Sequence, residues 1–521
     1  MSNRRTCRNV ARAAAPLVGA GLLALAAGSA LAAAPTPISG ATPYVDAACD
    51  NEALGGTLYR NSEIEPWLGV NPSNPANLIA VWQQDRWSNG GSRGNVSGYS
   101  TNRGASWRMV PLPNLTKCTG GPWARATDPW VTFSPNGVAY AMSLVFDNFP
   151  PPNRPAGEAP NAMVVQRSTN GGASWSDPVT LIKDTDPRLF SDKNSMTADP
   201  NDSNYVYAVW DRLNTPTGAL INPENVVGNG YSGPTLFVRT TNGGISWELP
   251  RTIYDPGANN QTIGNLIAVL PAAQGGTVLN FFNEILAAKN PAGQGKGTFN
   301  LAYVYSPDKG ASWLPKGQPR RIQKIDTLAQ FRAFGTVLPD DPTIGVRGAD
   351  ILFDVAVDPV NGRLYAVWQD SRFSDGEIDQ IAFSQSTDGG ATWSAPIKVN
   401  QTPTGIPILD QQAFTPSVSV RSNGAVVVTY YDFRADAGNT NPANELADFW
   451  AVSCSANCGS AGSWGGELKL TASSFNIVAA PFARGYFLGD YQGLEPVGTD
   501  AGAAFAIPQG GDPANIVFQR F

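Results

Sequence analysis

The sequence contains no histidine among its 521 residues. Ser–His–Asp and Cys–His catalysis, histidine-ligated zinc and histidine general bases are therefore excluded. Any catalytic chemistry must come from Asp, Glu, Tyr, Arg or Lys side chains. Charged residues make up only 15% of the chain, and the 42 acidic residues outnumber the 36 basic ones. An acidic chain of this kind argues against nucleic acid and anionic membranes as partners.

Cysteine is rare as well, with five residues in the whole chain. Apart from Cys7, an even number remains, which in an exported protein favours disulfides. Cys454 with Cys458 could close a local loop, and Cys49 with Cys118 could tie the N-terminal region to an early repeat; four unpaired thiols are the alternative. These cysteines do not predict a zinc site, because no second closely spaced pair is present.

A signal peptide is predicted over residues 1–34. An apolar run covers residues 17–27, and Ala30-Leu31-Ala32 fits the small-residue cleavage rule. The basic residues that precede the apolar run are Arg4, Arg5, Arg8 and Arg12. No later apolar run is long enough to span a bilayer. We therefore expect residues 35–521 to form a secreted or periplasmic, soluble monomer without a membrane span.

Long amphipathic helices are not evident, whereas 54 Gly and 42 Pro indicate many short strands and turns. One eight-residue element recurs five times, with Ser or Thr first, Asn or Asp third, Gly fifth and Trp last. Its copies lie at 100–107, 168–175, 240–247, 306–313 and 386–393, and a degenerate sixth surrounds 455–464. The third residue can accept hydrogen bonds from turn N–H groups, and the glycine suits a positive φ. We expect each Trp to pack back onto its own strands.

The element resembles the Asp-box, or BNR repeat, of the sialidase (neuraminidase)-like superfamily. The resemblance implies an all-β fold, a β-propeller of four-stranded antiparallel blades with the boxes on the rim away from the active face. A second strand pattern upstream of the boxes gives seven inner-strand starts. We therefore predict a single propeller domain with seven blades, six being the alternative because sialidases have six. A strand around residues 53–59 would complete the short last blade, 486–521.

Charged side chains concentrate in the loops opposite the boxes, after the second strands and before the first strands of the repeats. Several aromatic strands are followed there by Asp and Arg, as in Asp211-Arg212, Asp370 with Arg372, and Asp432 with Arg434. One interpretation is a structural pair, in which Asp binds turn N–H groups and Arg bridges to the next blade. Repetition favours it, since a catalytic residue is usually singular. The other interpretation is a ring of acids and cations around a central pocket.

The resemblance also implies a set of catalytic parts. Sialidases use an arginine triad for the substrate carboxylate, a Tyr nucleophile polarised by a Glu, and an Asp as acid/base. The matching catalytic candidates are Tyr491, Glu284 and Asp490. The candidate substrate-binding residues are Arg60, Arg86, Arg347, Arg484, Asp370 and Arg372. The chain departs from the family after Arg60, where Asn61-Ser62 stands in place of Ile-Pro, and at Arg86, which Asp85 precedes.

The sequence thus predicts an exported sialidase-like glycoside hydrolase that acts on an acidic carbohydrate or glycoconjugate at the central face. A non-catalytic propeller that binds glycan or protein is the alternative, and a polysaccharide lyase with Tyr as base is a third. No cofactor is predicted. Exposed carboxylates could hold Ca²⁺, but no Asp-x-Asp-x-Asp loop indicates such a site.

Overall fold

The computed structural model describes residues 30–31, 34–45, 49, 56–147, 160–186, 188–214, 232–287, 297–328 and 335–521. The predicted signal peptide falls outside these residues except at positions 30, 31 and 34. Within the described ranges the chain is all β, with 3₁₀ turns and no α-helix. None of the described residues forms a helix of the length and apolar character that a membrane crossing requires.

Most strands form four-stranded antiparallel groups, which we number in chain order. They follow two short strands, β1 at Ala30–Leu31 and β2 at Thr36–Pro37. Group 1 contains β3 to β6, at Leu58–Val70, Leu78–Trp87, Ser92–Ser100 and Arg108–Pro111. Group 2 contains β7 to β10, at Arg125–Phe133, Ala139–Phe146, Asn161–Ser168 and Val179–Asp184. Group 3 contains β11 to β14, at Leu189–Ala198, Val206–Asn214, Thr235–Thr240 and Arg251–Tyr254.

The pattern continues through the second half of the chain. Group 4 contains β15 to β18, at Asn260–Val269, Val278–Ala287, Gly297–Ser306 and Arg320–Ile325. Two short strands follow, β19 at Thr336–Val337 and β20 at Gly345–Arg347. Group 5 contains β21 to β24, at Phe353–Val357, Leu364–Asp370, Gln380–Ser386 and Ile397–Lys398. Group 6 contains β25 to β28, at Ala413–Val420, Val426–Asp432, Leu446–Cys454 and Gly465–Lys469.

The remaining strands lie near the C-terminus. They are β29 at Phe475–Asn476, β30 at Tyr486–Phe487, β31 at Gly493–Val497, β32 at Asp500–Gln509 and β33 at Asp512–Arg520. β31, β32 and β33 pair in that order, and β2 adds a fourth strand beside β33, so we call these four the terminal group. β30 pairs with β20, which pairs with β19 in a small separate sheet.

The fourth strand of the terminal group comes from a different segment than the sequence predicts. Thr36–Pro37 occupies the place beside β33. Of the predicted strand, residues 53–55 lie outside the described part of the chain, and Leu58 and Tyr59 belong to β3, where they pair with β4. That prediction is therefore wrong, because residues 58–59 already have a strand partner in group 1.

The first strand of each group lies against the first strands of its neighbours. β3 contacts β7, β7 contacts β11, β11 contacts β15, β15 contacts β21, β21 contacts β25, β25 contacts β31, and β31 contacts β3. The second strands are apolar and covered on both faces; all residues of β4, β8, β22 and β26 are buried. Strands buried between two neighbouring sheets read as continuous apolar runs in this way.

The repeated eight-residue element forms the hairpin after the third strand in groups 1 to 5. In the first copy Gly104 N donates to Ser100 Oγ at 2.9 Å, and Ser106 N donates to Asn102 Oδ1 at 3.0 Å. The other four copies repeat both types of bond. The sequence therefore predicts the hairpin chemistry correctly.

The tryptophan of this element packs differently from the sequence-based expectation. Trp175 of group 2 donates from Nε1 to Ser97 Oγ of group 1 at 2.9 Å. Trp107 of group 1 lies with its ring 5.3 Å from that of Phe518 on β33. Trp175 thus contacts the preceding group and Trp107 the terminal group, while Trp107 also donates from Nε1 to Gly104 O of its own hairpin at 3.1 Å. The tryptophans therefore fasten one group to the next.

Both predicted disulfides are present. Cys49 is bonded to Cys118, and Cys454 is bonded to Cys458. The first links two segments 69 residues apart, and the second closes the degenerate sixth hairpin of group 6. Both bonds are compatible with an oxidising compartment.

Candidate functional site

A pocket lies between the first strands of the groups, and we call it the central pocket. It contains about 550 Å³ of space, part of it open to solvent. Aromatic and apolar side chains dominate its wall, with a few charged groups among them, as is typical of ligand sites. The aromatic and charged side chains of this wall include Trp67, Trp130, Lys193, Asp354, Asp490 and Tyr491.

Five of the first strands carry a β-bulge at an equivalent position, where two residues oppose one on the second strand. The first bulged residue has a positive φ: 54° at Glu65, 47° at Asp128 and 46° at Lys193, with Gly264 and Thr415 in groups 4 and 6. This conformation is unfavourable for residues other than glycine and concentrates at functional sites. Bulges redirect side chains beside active sites. Here they bring charged groups from three adjacent strands together.

Asp490 binds two cations. Arg347 donates from Nε to Oδ1 at 3.0 Å and from Nη2 to Oδ2 at 2.5 Å. Lys193 Nζ also donates to Oδ2 of Asp490 and lies 3.8 Å from Oδ2 of Asp128. Burial alone would raise the pKa of Asp490, but Arg347 and Lys193 outweigh burial and hold that pKa well below its usual range. Asp490 is therefore ionised at neutral pH.

Glu65 lies next to this ion pair in the opposite protonation state. Its Oε1 accepts a bond from Asp490 N at 3.2 Å, and its Oε2 accepts one from Gln83 Nε2. Burial raises the pKa of Glu65 to about 8, although Lys193 acts in the other direction. Burial thus favours the protonated form of Glu65, beside a carboxylate whose ionised form is favoured.

Asp192 on β11 stands directly opposite Asp211 on β12. Burial raises the pKa of Asp192 to about 6, with Lys193 lowering it and Asp128 raising it further. Both carboxylate oxygens of Asp211 are buried without a hydrogen-bond partner. Burial, and next the charge of Asp192, raise the pKa of Asp211 well above its ordinary value. Two facing carboxyl groups of this kind titrate as a pair and retain a proton near neutrality.

Tyr491 packs beside two stacked tryptophans. The rings of Trp67 and Trp130 lie 3.6 Å apart, and the Tyr491 ring meets them edge-on at 5.9 and 5.3 Å. The Tyr491 hydroxyl donates to Pro129 O at 3.1 Å. Burial, followed by the charge of Glu65, raises the pKa of Tyr491 well above its ordinary value. Its hydroxyl is thus neutral and held by a backbone carbonyl.

The predicted arginine set does not assemble into a triad. Among these arginines, Arg347 is the one that binds Asp490, which lines the central pocket. Arg86 is buried, donates to Gly91 O at 2.8 Å and lies over the Phe487 ring; burial, then the charge of Arg347, lowers its pKa to about 10. Arg60 and Arg484 are both solvent-exposed.

Glu284 does not lie among the described residues that line the pocket. Its carboxylate accepts a bond from the Tyr254 hydroxyl at 2.6 Å and is bound by Arg321 Nε at 2.5 Å. Both partners belong to outer strands, β14 and β18. The cause is its register position on a second strand, opposite Asn300. Glu284 therefore joins groups 3 and 4 and is not placed to polarise Tyr491.

Asp370 and Arg372 form a local ion pair. Arg372 Nε lies 2.7 Å from Oδ1 of Asp370, and its Nη2 also donates to Lys324 O in group 4. Asp370 additionally accepts a bond from the Trp368 indole at 2.7 Å. Asp432 and Arg434 pair in the same way, at 2.6 Å. These contacts match the structural interpretation of the repeated Asp–Arg pattern.

The sequence places Glu65, Asp128 and Asp192 among the charged residues of the functional face without assigning them a role, and it does not single out Lys193, Trp67 or Trp130 as site residues. A usable signal was present in the triplets Glu65-Pro66-Trp67 and Asp128-Pro129-Trp130, which occupy the same position in groups 1 and 2. A charged residue inside an otherwise apolar repeated strand is the unusual feature. The Asp–Arg loops drew attention instead because they repeat more often.

Comparisons with known proteins give structural neighbours and no family. No protein-family model matches the chain, and no curated protein matches it. A Hadza microbial sialidase shares 15% identity over 71% of this chain at a TM-score of 0.43, and the chain covers 64% of that protein's length. A Dyadobacter fermentans protein of unknown function shares 14% identity (89% of this chain, 96% of that one, TM-score 0.46). A Penicillium chrysogenum α-L-arabinanase complexed with arabinobiose shares 12% identity (72% and 92%, TM-score 0.43). Structural similarity at this level does not establish an activity for this chain.

Proposed function

We propose that residues 35–521 form one exported, seven-bladed propeller and that it is a glycoside hydrolase with its active site in the central pocket. Each first strand contacts the next one from β3 through to β31, and β31 in turn contacts β3. This closed series of contacts supports the blade count. The two disulfides and the N-terminal apolar segment support export. The resemblance of the repeated hairpin to the Asp-box supports the hydrolase class.

The observation that carries the proposal is the separation of carboxyl pKa values in the charged cluster around Lys193 and Asp490, two residues that line the central pocket. Asp490 is ionised, whereas the pKa of Asp192 is raised to about 6 and that of Glu65 to about 8. Neighbouring carboxyl groups with different protonation states are what glycoside hydrolysis requires, one as proton donor and one as base or nucleophile. The stacked tryptophans give a sugar ring an apolar surface.

We assign the proton-donor role to Asp192. It is less buried than Glu65 and directly precedes Lys193, which lines the pocket. Asp211 stands behind it and can supply a replacement proton. Asp128, next to Lys193, is the carboxylate that we assign to activate water. An ionised Asp490 held by two cations serves to position Lys193 and is a poor acid.

The charges in the pocket favour an uncharged glycan over an acidic one. Five carboxyl groups in or beside the pocket, on Glu65, Asp128, Asp192, Asp354 and Asp490, outnumber Lys193 and Arg347, the two cations that bind Asp490. Arg347 already has a two-point carboxylate partner, so an acidic sugar would have to displace Asp490 from it. The sialidase-like activity with Tyr491 as nucleophile stays a prediction. It requires that the substrate carboxylate displace Asp490 from Arg347 and that the Tyr491 hydroxyl release Pro129 O.

A panel of fluorogenic neutral glycosides, sialosides and uronides tests the proposal. The wild type should hydrolyse a neutral glycoside, and activity should fall as pH rises through about 6, because the proton donor is lost. Asp192→Asn should reduce kcat at least 100-fold, and the matched control Asp375→Asn, an exposed carboxylate of group 5, should not. Selective hydrolysis of sialosides that Tyr491→Phe abolishes would overturn the neutral-substrate assignment in favour of the sialidase.

A glycan-binding propeller without catalysis is the second candidate. It is favoured by the stacked Trp67 and Trp130 rings in the pocket wall, which offer a glycan a contact surface without any catalytic group. In that case the wild type should bind glycans on an array and hydrolyse none of the panel. Trp130→Ala should then abolish binding, because the stacked indoles would form the contact surface.

A further inference from the structure

Three acidic side chains from two loops, one between β19 and β20 and one between β26 and β27, converge outside the central pocket. Asp340 follows β19, Asp436 ends a 3₁₀ turn after β26, and Glu445 immediately precedes β27. One carboxylate oxygen of each lies within 4.8 Å of those of the other two. Since calcium binds oxygen ligands at about 2.3–2.6 Å, one ion can contact all three at such separations.

The protein donates hydrogen bonds to only some of the oxygens of these carboxylates. Asp436 Oδ1 accepts bonds from Leu446 N at 2.8 Å and Asn439 Nδ2 at 2.7 Å, and Glu445 Oε1 accepts one from Asp340 N at 3.1 Å. The second oxygens, Oδ2 of Asp340, Oδ2 of Asp436 and Oε2 of Glu445, are buried without a hydrogen-bond partner. Asp436 and Glu445 are both 0% exposed. Buried polar atoms that lack partners indicate a missing ligand.

The local charge points to a cation. Asp410 adds a fourth carboxyl group, close enough to Asp436 and Asp340 to interact with their charges. Among the residues that the structure describes, no lysine or arginine forms an ion pair with any of the four. Carboxylates held so close need protons or a metal ion.

We propose that Asp340, Asp436 and Glu445 bind one Ca²⁺ ion, with Asp410 adding negative charge beside it. An all-oxygen, carboxylate-rich set is suited to a hard divalent cation. Calcium is favoured over Mg²⁺ because three ligands from two loops, the β19–β20 and β26–β27 connections, fit a flexible geometry, whereas Mg²⁺ requires near-ideal octahedral positions and keeps its water.

The ion would also fix a loop that leads to the central pocket. Asp340 lies between β19 and β20, and β20 ends in Arg347, the partner of Asp490. β19 is already attached to group 6 by Gln412, which bonds to Val337 N and Val337 O at 3.0 and 2.9 Å. A cation shared by Asp340 and the group 6 acids would hold the other side of that loop.

Calorimetric titration of the chelator-treated full chain with CaCl2 and with MgCl2 tests the site. We expect one Ca²⁺ per chain with a Kd of about 10⁻³ M or tighter, as in extracellular modules, and weaker binding of Mg²⁺. Asp436→Asn and Glu445→Gln should each weaken Ca²⁺ binding at least tenfold and remove the calcium-dependent rise in Tm. Asp341→Asn, in the same loop with an Oδ1 that accepts only from Thr343, is the matched control and should bind as the wild type does.

The stability of the variants in chelator separates ligand loss from misfolding. Removing one charge relieves repulsion, so Asp436→Asn should melt at or above the temperature of chelated wild type. If both buried variants misfold, Asp340→Asn at the partly exposed position provides the same comparison. Absence of a calcium effect on the wild type, unchanged binding by the variants, or equal affinity for Mg²⁺ would overturn the assignment.

Discussion

Arg347 and Asp490 form a two-point ion pair across the central pocket, with Nε–Oδ1 and Nη2–Oδ2 distances of 3.0 and 2.5 Å. The pair joins β20 to the segment before β31, which are 143 residues apart. Lys193 binds the same carboxylate from a third direction. Asp490 thus holds three separate parts of the chain together.

Asp490→Asn should destabilise the protein more than Arg347→Met. The first change removes the carboxylate that both cations share and leaves Arg347 without its two-point partner, at a cost of about 3 kcal/mol. The second leaves Asp490 with Lys193 and should cost about 1–2 kcal/mol. Urea unfolding of the two single variants and the double variant measures the difference. A double variant whose loss equals the sum of the single losses would show that the pair is not coupled.

The tryptophan that bridges groups 1 and 2 should contribute strongly to stability. Trp175 is 8% exposed and donates to Ser97, so Trp175→Ala should cost about 3–5 kcal/mol. Trp175→Phe keeps most of the ring and loses the bond, for a cost of about 1 kcal/mol. The equivalent Trp247 is less buried, and Trp247→Ala should cost less than Trp175→Ala. Thermal unfolding compares the three variants, and an equal loss for both alanine variants would contradict the bridging role.

The two disulfides should differ in their effect on stability. The bond between Cys49 and Cys118 closes a separation of 69 residues, and that between Cys454 and Cys458 a separation of four. Loop-closure entropy assigns them about 4 and about 2 kcal/mol respectively. Cys118→Ser should therefore lower the urea midpoint more than Cys458→Ser. The reverse order would indicate that the long loop is already constrained by its packing.

Stability should decline as pH rises from about 5 to about 8.5. Burial raises the pKa of Glu63 to about 8 and that of Glu495 to about 8. A carboxyl group with a raised pKa binds more protons in the folded state, so its contribution to folding is lost as pH rises from the unfolded value through the folded one. Glu63→Gln should flatten the dependence. Unfolding in urea at pH 5.5, 7 and 8.5 measures it, and a stability that increases with pH would contradict the prediction.

The repeated hairpin and the strand order were predictable because both depend on local chemistry. Ser100, Asn102 and Gly104 form a turn whose bonds lie within five residues, and the pattern is readable in five copies. Glu65 and Lys193 were not predictable as partners, since bulges and inter-group contacts determine where their side chains point. Glu284 illustrates the same limit. Its position after a second strand suggested the central face, but its register on that strand places its carboxylate beside Tyr254 and Arg321.

The contact of Trp107 with Phe518 has a consequence for biosynthesis. Group 1 leaves the ribosome early, but the surface against which its hairpin packs belongs to the final strand, and Thr36–Pro37 also pairs with that strand. The first sheet must therefore stay incompletely covered until β33 has been synthesised. Losing β33 would leave both the first and the terminal groups with open edges, so the synthesis of β33 acts as a checkpoint for folding.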